Sequence, residues 1–187
     1  MLILASQSPR RAELLRAAGF EFIVRTADID ETPRAGENPR EYVQRLAEEK
    51  ARAITAGEAD VILAADTTVV LGNQIMGKPL DPADAARMLR ELSGNRHEVM
   101  TGVCLRQGEF VQIGIAETAV WFAPLSDREI EDYVATGEPI DKAGAYAIQG
   151  RASRFIEKID GSYSNVVGLP VALVYKWLVS AKSEMVR

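Results

Sequence analysis

Residues 61–71 read VILAADTTVVL, a β-branched run and the clearest central strand in the chain. It lacks the strict polar alternation of a half-exposed strand, so it reads as a central strand buried on both faces. Gly72-Asn73 then turns the chain into a short hairpin partner, and Gly77-Lys78-Pro79 ends that excursion. A strand of this kind needs cover on both sides, and the flanking sequence supplies helices.

Upstream, Leu2–Ala5 reads as a short buried strand. Ser8 is placed to cap a helix, Pro9 suits its first position and Gly19 its C-terminal cap, with the helix over Arg10–Ala18. A second strand near Glu21–Val24 leads into the acidic loop DIDETPRAGENP, residues 28–39. Pro39 opens a helix through Ala56 that buries Tyr42, Val43, Leu46, Ala47 and Ala51. Downstream, residues 81–94 form a helix capped by Asp81 and stopped by Gly94. Two long strands follow, near His97–Arg106 and Phe110–Phe122. Ser126 and Glu129 have capping-box spacing at the start of another helix. Two short strands are expected to bracket residues 150–163, GRASRFIEKIDGSY, the first a small-residue strand ending just before Gln149, and Pro170 begins a last apolar helix. Strands and helices mix without strict alternation. This predicts an α/β protein with a mixed sheet and helices on its faces, in one domain over residues 1–187.

At 187 residues, 47% hydrophobic and 26% charged, the composition is that of an ordinary globular domain. One cysteine, Cys104, and one histidine, His97, exclude an internal disulfide and any cysteine-based or paired-histidine metal site. A metal would fall to carboxylates and water, which suit Mg²⁺ or Mn²⁺. The net charge of −5 argues against a nucleic-acid backbone as partner, yet leaves room for a small phosphorylated ligand in a local basic pocket. No stretch approaches the ~20 apolar residues of a membrane span, and the N-terminus lacks a signal-like pattern, so a cytoplasmic location is expected.

Charge inside apolar structure marks the candidate site. Asp66 sits within the most buried-looking strand, where a carboxylate needs a cation, a metal or several hydrogen bonds. A structural ion pair with a lysine, or a loop cap, would satisfy it equally well. At the N-terminus, ASQSPRR joins strand to helix, a geometry that binds anions. Ser6 and Ser8 offer hydroxyls there, and Arg10 and Arg11 can fork onto phosphate oxygens. The plainer reading is a solvated arginine pair. Lys50 near its helix end, Lys78 in a turn, Glu31 in the acidic loop and Gln149 near a strand end each have an ordinary surface reading too.

Taken in order, the motifs are more specific than any one of them. S-x-S-P-R-R-x-E-L-L, D-E-T-P, E-K-A, A-A-D-T, G-K-P, L-S-G, D-K-A-G-A-Y-x-I-Q-G and G-S-Y-x-N-V-V-G-L-P run through nearly the whole chain. Together they strongly resemble the Maf family of nucleoside triphosphate pyrophosphatases. The S-P-R-R form and the Q-G pair match the branch that acts on dTTP and UTP. The resemblance implies a mixed α/β fold related to the inosine triphosphate pyrophosphatases, with two lobes around a deep cleft, and commonly a homodimer. It implies cleavage between the α and β phosphates, giving a nucleoside monophosphate and pyrophosphate. Asp66 matches the family's proton acceptor, and Arg10, Thr67 and Gln149 match positions tied to pyrimidine choice. Ser6, Arg11, Lys50 and Lys78 match phosphate-binding cleft residues. A divalent cation, Mg²⁺ or Mn²⁺, would be held by Asp66 with Glu31. A different class of function, a nucleotide-binding regulator of cell division without hydrolysis, needs Arg10 and Arg11 but not Asp66.

Overall fold

In the computed structural model, which describes residues 1–26 and 28–184, strand β3 covers the whole expected run, Val61–Leu71. Its side chains alternate between two cores, as a strand's must. Ile62 and Ala64 pack with Ile3, Ala5, Ala47, Ala51 and Ile54. Leu63 and Ala65 pack on the other side with Leu4, Ala12, Leu15, Val174 and Trp177. Helix α2 (Pro39–Arg52) covers the first face, and α1 (Pro9–Ala17) and α6 (Val171–Glu184) the second.

Strand β1 (Leu2–Ala5) runs parallel to β3 and to β2 (Ile23–Arg25), and β4 (Gln74–Met76) pairs antiparallel with β3. Strands β5 (Arg96–Gln107), β6 (Phe110–Phe122) and β7 (Ile156–Asp160) complete a seven-stranded sheet of order β2-β1-β3-β5-β6-β7, with β4 off that path. Parallel and antiparallel pairs coexist, so the expected mixed sheet is the one observed. The remaining helices are α3 (Pro82–Leu92), α4 (Asp127–Val134) and α5 (Tyr163–Val167), with short 3-10 turns at Ala143–Ala145 and Arg151–Phe155.

The chain forms two compact units. The first comprises Met1–Asp66, Thr101–Ala116 and Gly168 onward; the second comprises Thr67–Met100 and Glu117–Val167. The second unit has its own core, in which Val69, Leu89, Leu92, Phe122, Tyr133 and Phe155 meet.

Local signals place most element ends. Asp81 accepts from the Asp84 N–H at the start of α3, and Ser126 with Glu129 forms the reciprocal capping box of α4. Two expectations need correction. Helix α2 stops at Arg52 instead of Ala56, because Ile54 turns into the core. Arg106 and Arg25 then donate to the freed carbonyls of Ile54 and Thr55, at 2.7 and 2.6 Å. The segment before residue 150 is not a strand. Gly144 and Ala145 are left-handed, with φ of 67° and 59°, and a Cβ on Gly144 would lie 2.8 Å from a Val69 methyl. The single strand of that region, β7, lies within residues 150–163, and helix α5 follows it.

Candidate functional site

Parallel register builds the site. Ala5, the last residue of β1, stands beside Ala64 of β3, so the loop after β1 leaves the sheet level with Asp66, midway along β3. Asp66 follows Ile62 and Ala64 on the face that α2 covers, and only 7% of it is exposed. Helix α2 lies close against the sheet because β5 carries Gly102, where a Cβ would sit 2.1 Å from the Val43 carbonyl oxygen. The apolar side of α2, with Val43, Leu46, Ala47 and Ala51, seats that contact and turns Lys50 inward. The Lys50 ammonium lies 2.6 Å from Asp66 Oδ1 and 2.6 Å from Glu31 Oε1. An ion pair taken this far from water persists only when each charge is matched.

Glu31 reaches the ammonium from the acidic loop, which α2 holds in place. The Tyr42 hydroxyl donates to the Glu31 carbonyl at 3.0 Å, and Arg45 Nη2 donates to the Thr32 carbonyl at 3.2 Å. Arg45 also forks onto both Glu37 oxygens, at 2.5 and 2.7 Å. This pairing holds the Glu37 carboxyl down at about 2. Burial, together with Asp66 and Glu31, pushes the Tyr42 phenol up to about 12, so it stays a donor.

The helix mouth joins the same cluster. Ser6 Oγ accepts from the Ser8 N–H at 3.2 Å and from Arg11 Nη1 at 3.1 Å, while Arg11 Nε donates to the Gly168 carbonyl at 2.8 Å. Burial lowers the Arg11 pKa and Arg10 adds to that, whereas Asp66 and Glu31 oppose it. Guanidinium remains charged throughout. Arg11 is therefore balanced, in part, by the two acids. The first turn of α1 carries no acidic residue and Ser8 makes no side-chain cap bond, so its amide end keeps anion-binding geometry.

Ser6, Arg11, Glu31, Lys50 and Asp66 thus meet in the first unit, with Arg10 beside Arg11 on α1. The surface reading of Lys50 is overturned, since its side chain is only 12% exposed. Thr67, Lys78 and Gln149 belong to the second unit. Lys78 is exposed in the turn after β4, and the Gly77 carbonyl before it accepts from the Gly144 N–H at 3.0 Å. Gln149 is exposed in the turn 148–150. Tyr42, Arg45 and Gly102 serve the cluster although no sequence motif singles them out. A glycine within a strand pattern is a signal of close backbone approach, and Gly102 carries it.

The cluster can do two things chemically. Two carboxylates converging on one point are hard oxygen donors of the kind a divalent cation takes. Among the described residues, no group of three or more such side chains forms a self-sufficient metal cage, so a cation here would have to share its shell with other oxygens. The nearby guanidinium and ammonium groups suit a polyanion. No helix among the described residues is long and apolar enough to cross a membrane.

Comparison with known proteins places the chain in a family. The family described as "Maf-like protein" matches residues 1–181. A protein of Anaeromyxobacter dehalogenans (strain 2CP-C) named "dTTP/UTP pyrophosphatase" is 57% identical over 175 residues, covering 91% of this chain and 89% of that one. A protein of the same name from Koribacter versatilis is 55% identical over 179 residues, covering 95% and 92%. The solved structure of the Staphylococcus aureus Ham1 protein superposes with a TM-score of 0.46 at 14% identity, over 65% of this chain and 71% of that one. With the family matched from the first residue to residue 181, and such identity to its relatives, the chain belongs to the Maf-like family.

Proposed function

We propose that this protein hydrolyses dTTP and UTP between the α and β phosphates, giving the nucleoside monophosphate and pyrophosphate. The observation that carries the reading is the Asp66 carboxylate, nearly buried, sharing Lys50 with Glu31 beside the Arg11–Ser6 helix mouth. A base next to paired cations is what attack of water on a triphosphate needs. Relatives above half identity that carry the name dTTP/UTP pyrophosphatase support the same substrates.

Arg10, Arg11, Lys50 and Lys78 offset the triphosphate charge, with the Ser6 hydroxyl beside them. Asp66 takes a proton from the attacking water as its oxygen bonds to the α-phosphorus. The bond from that phosphorus to the bridging oxygen breaks, and pyrophosphate leaves with the electron pair. Glu31 and Asp66 are the pair that would hold Mg²⁺ or Mn²⁺, which bind through one or two carboxylates plus phosphate oxygens. A cation held there would supply charge neutralisation to the phosphates. Gln149 reads the base, because one amide both donates and accepts and so suits the O4 and N3–H edge of uracil and thymine. Arg10 and Thr67 complete the pyrimidine preference. The reading makes this a cytoplasmic enzyme and, as in the family it resembles, a homodimer.

The test is incubation of the purified protein with Mg²⁺ and a panel of nucleoside triphosphates, with products resolved by phosphorus NMR. Pyrophosphate with UMP or dTMP is expected. Orthophosphate would overturn α–β cleavage, and tight binding without turnover would shift the assignment to a nucleotide-binding regulator.

A further inference from the structure

Gln149 stands at the tip of an exposed turn, yet a residue that reads a base must be held still. The backbone on both sides of it is tied to one polar pair, the buried Tyr133 and the half-buried Glu138. Tyr133 of α4 is fully buried, its ring edge-on to Phe155 with centroids 5.4 Å apart. Its hydroxyl oxygen accepts from the Ala147 N–H at 3.2 Å and its proton goes to Glu138 Oε1 at 2.8 Å. The Glu138 carboxylate accepts in turn from the Arg151 N–H, at 3.0 Å to Oε1 and 3.2 Å to Oε2. Between those anchors, the Gly150 N–H closes the turn onto the Ala147 carbonyl at 3.0 Å. A Cβ at Gly150 would fall 2.2 Å from Glu138 Oε1, so any other residue there would push the carboxylate from beneath the turn.

The pair is itself fastened. The Glu138 N–H donates to Thr136 Oγ1 at 3.2 Å, and that hydroxyl donates to the Tyr133 carbonyl at 2.6 Å. Burial and the neighbouring Glu138 push the Tyr133 phenol upward, which keeps its proton on the donor side.

We infer that Tyr133 and Glu138 are positioning residues for base selection, clamping the Gln149 turn through Ala147 and Arg151. The inference rests on the reading of Gln149 as the base-contacting residue. A rigid turn presents the amide in one orientation. A loose turn lets the amide reorient and accept cytosine's donor edge as readily as uracil's acceptor edge, so selectivity falls before turnover does.

Two measurements on Tyr133→Phe test it, with Ser93→Ala as the control. Ser93 also makes a short hydrogen bond in the second unit, to the Leu125 N–H at 2.7 Å, but lies outside the clamp. The first measurement is amide hydrogen exchange at Ala147 and Arg151. The second is internal competition between UTP and CTP, which gives the ratio of kcat/KM values whatever fraction of enzyme is folded. Tyr133→Phe is expected to lose protection at Ala147 and to lower the UTP:CTP ratio roughly tenfold, the scale of one hydrogen bond. Ser93→Ala should change neither. Unchanged protection in Tyr133→Phe overturns the clamp. Lost protection with an unchanged ratio overturns its role in selection. If the unaltered protein releases no pyrophosphate from either nucleotide, the base-selection role falls with the pyrophosphatase reading, and exchange still decides the clamp. Glu138→Gln, which replaces one accepting oxygen by an amide nitrogen, gives the same readouts if Tyr133→Phe does not fold.

Discussion

Lys50 of α2 and Asp66 of β3 form an ion pair with 2.6 Å between Nζ and Oδ1, their side chains 12% and 11% exposed. A strand buried on both faces has no reason to carry a carboxylate unless something meets it, and the helix laid across that face delivers an ammonium to the spot. Glu31 takes the same ammonium from the acidic loop. The cluster therefore holds more acid than Lys50 alone can balance, and Arg11 is near enough for both acids to act on it.

Asp66→Asn keeps the size and loses the base. Turnover of dTTP and UTP is expected to fall by about 10²–10⁴, the usual contribution of a positioned base. Binding of the nucleotide, followed by calorimetry, should persist. Near-normal pyrophosphate release from this variant would sink the assignment of Asp66.

Gln149→Ala should erode base choice more than phosphate binding. The loss is expected in kcat/KM for UTP and dTTP, with KM for purine nucleotides little changed, because an unmet polar edge discriminates more strongly than a missing methyl. Equal losses on every nucleotide would contradict the role.

Gly102→Ala tests the seat of α2. The added Cβ would lie 2.1 Å from the Val43 carbonyl oxygen, so helix or strand must move. Overpacking of this kind costs about 1–3 kcal/mol, read as a lower urea midpoint. Displacing α2 also displaces Lys50, so turnover should drop in the protein that remains folded.

Two acid-sensitive steps are expected in stability against pH. His97 is buried with Nε2 2.9 Å from the Tyr146 hydroxyl, and burial pushes it from 6.5 down to about 4. The unfolded chain therefore binds the proton first. Stability is fully present above about pH 6.5 and is lost as the pH falls towards 4. Glu37, held down from 4.5 to about 2 by Arg45, contributes stability present above 4.5 and lost towards pH 2. Thermal melts across this range should show the first step flattened in His97→Gln and the second in Glu37→Gln.

Interactions a few residues long are legible in the amino-acid sequence itself. The β-branched run of β3, the Asp81 cap, the Ser126–Glu129 box and Pro9 at the start of α1 all depend on neighbours in the chain, and each stands where its pattern puts it. Lys50 is not legible in that way. A lysine late in an amphipathic helix looks the same whether it meets water or a carboxylate on a strand folded beneath it. Its orientation follows from Gly102, far along the chain, letting α2 sit directly on β5. Residues 143–150 make the same point in reverse. Their small apolar side chains read as a strand, but packing on Val69 and the clamp from Tyr133 and Glu138 bend them into left-handed and turn conformations. Local pattern specifies the elements because hydrogen bonding and burial within an element are periodic. The acid–base cluster and the Gln149 turn arise where elements distant in sequence pack, and no period in the chain encodes that meeting.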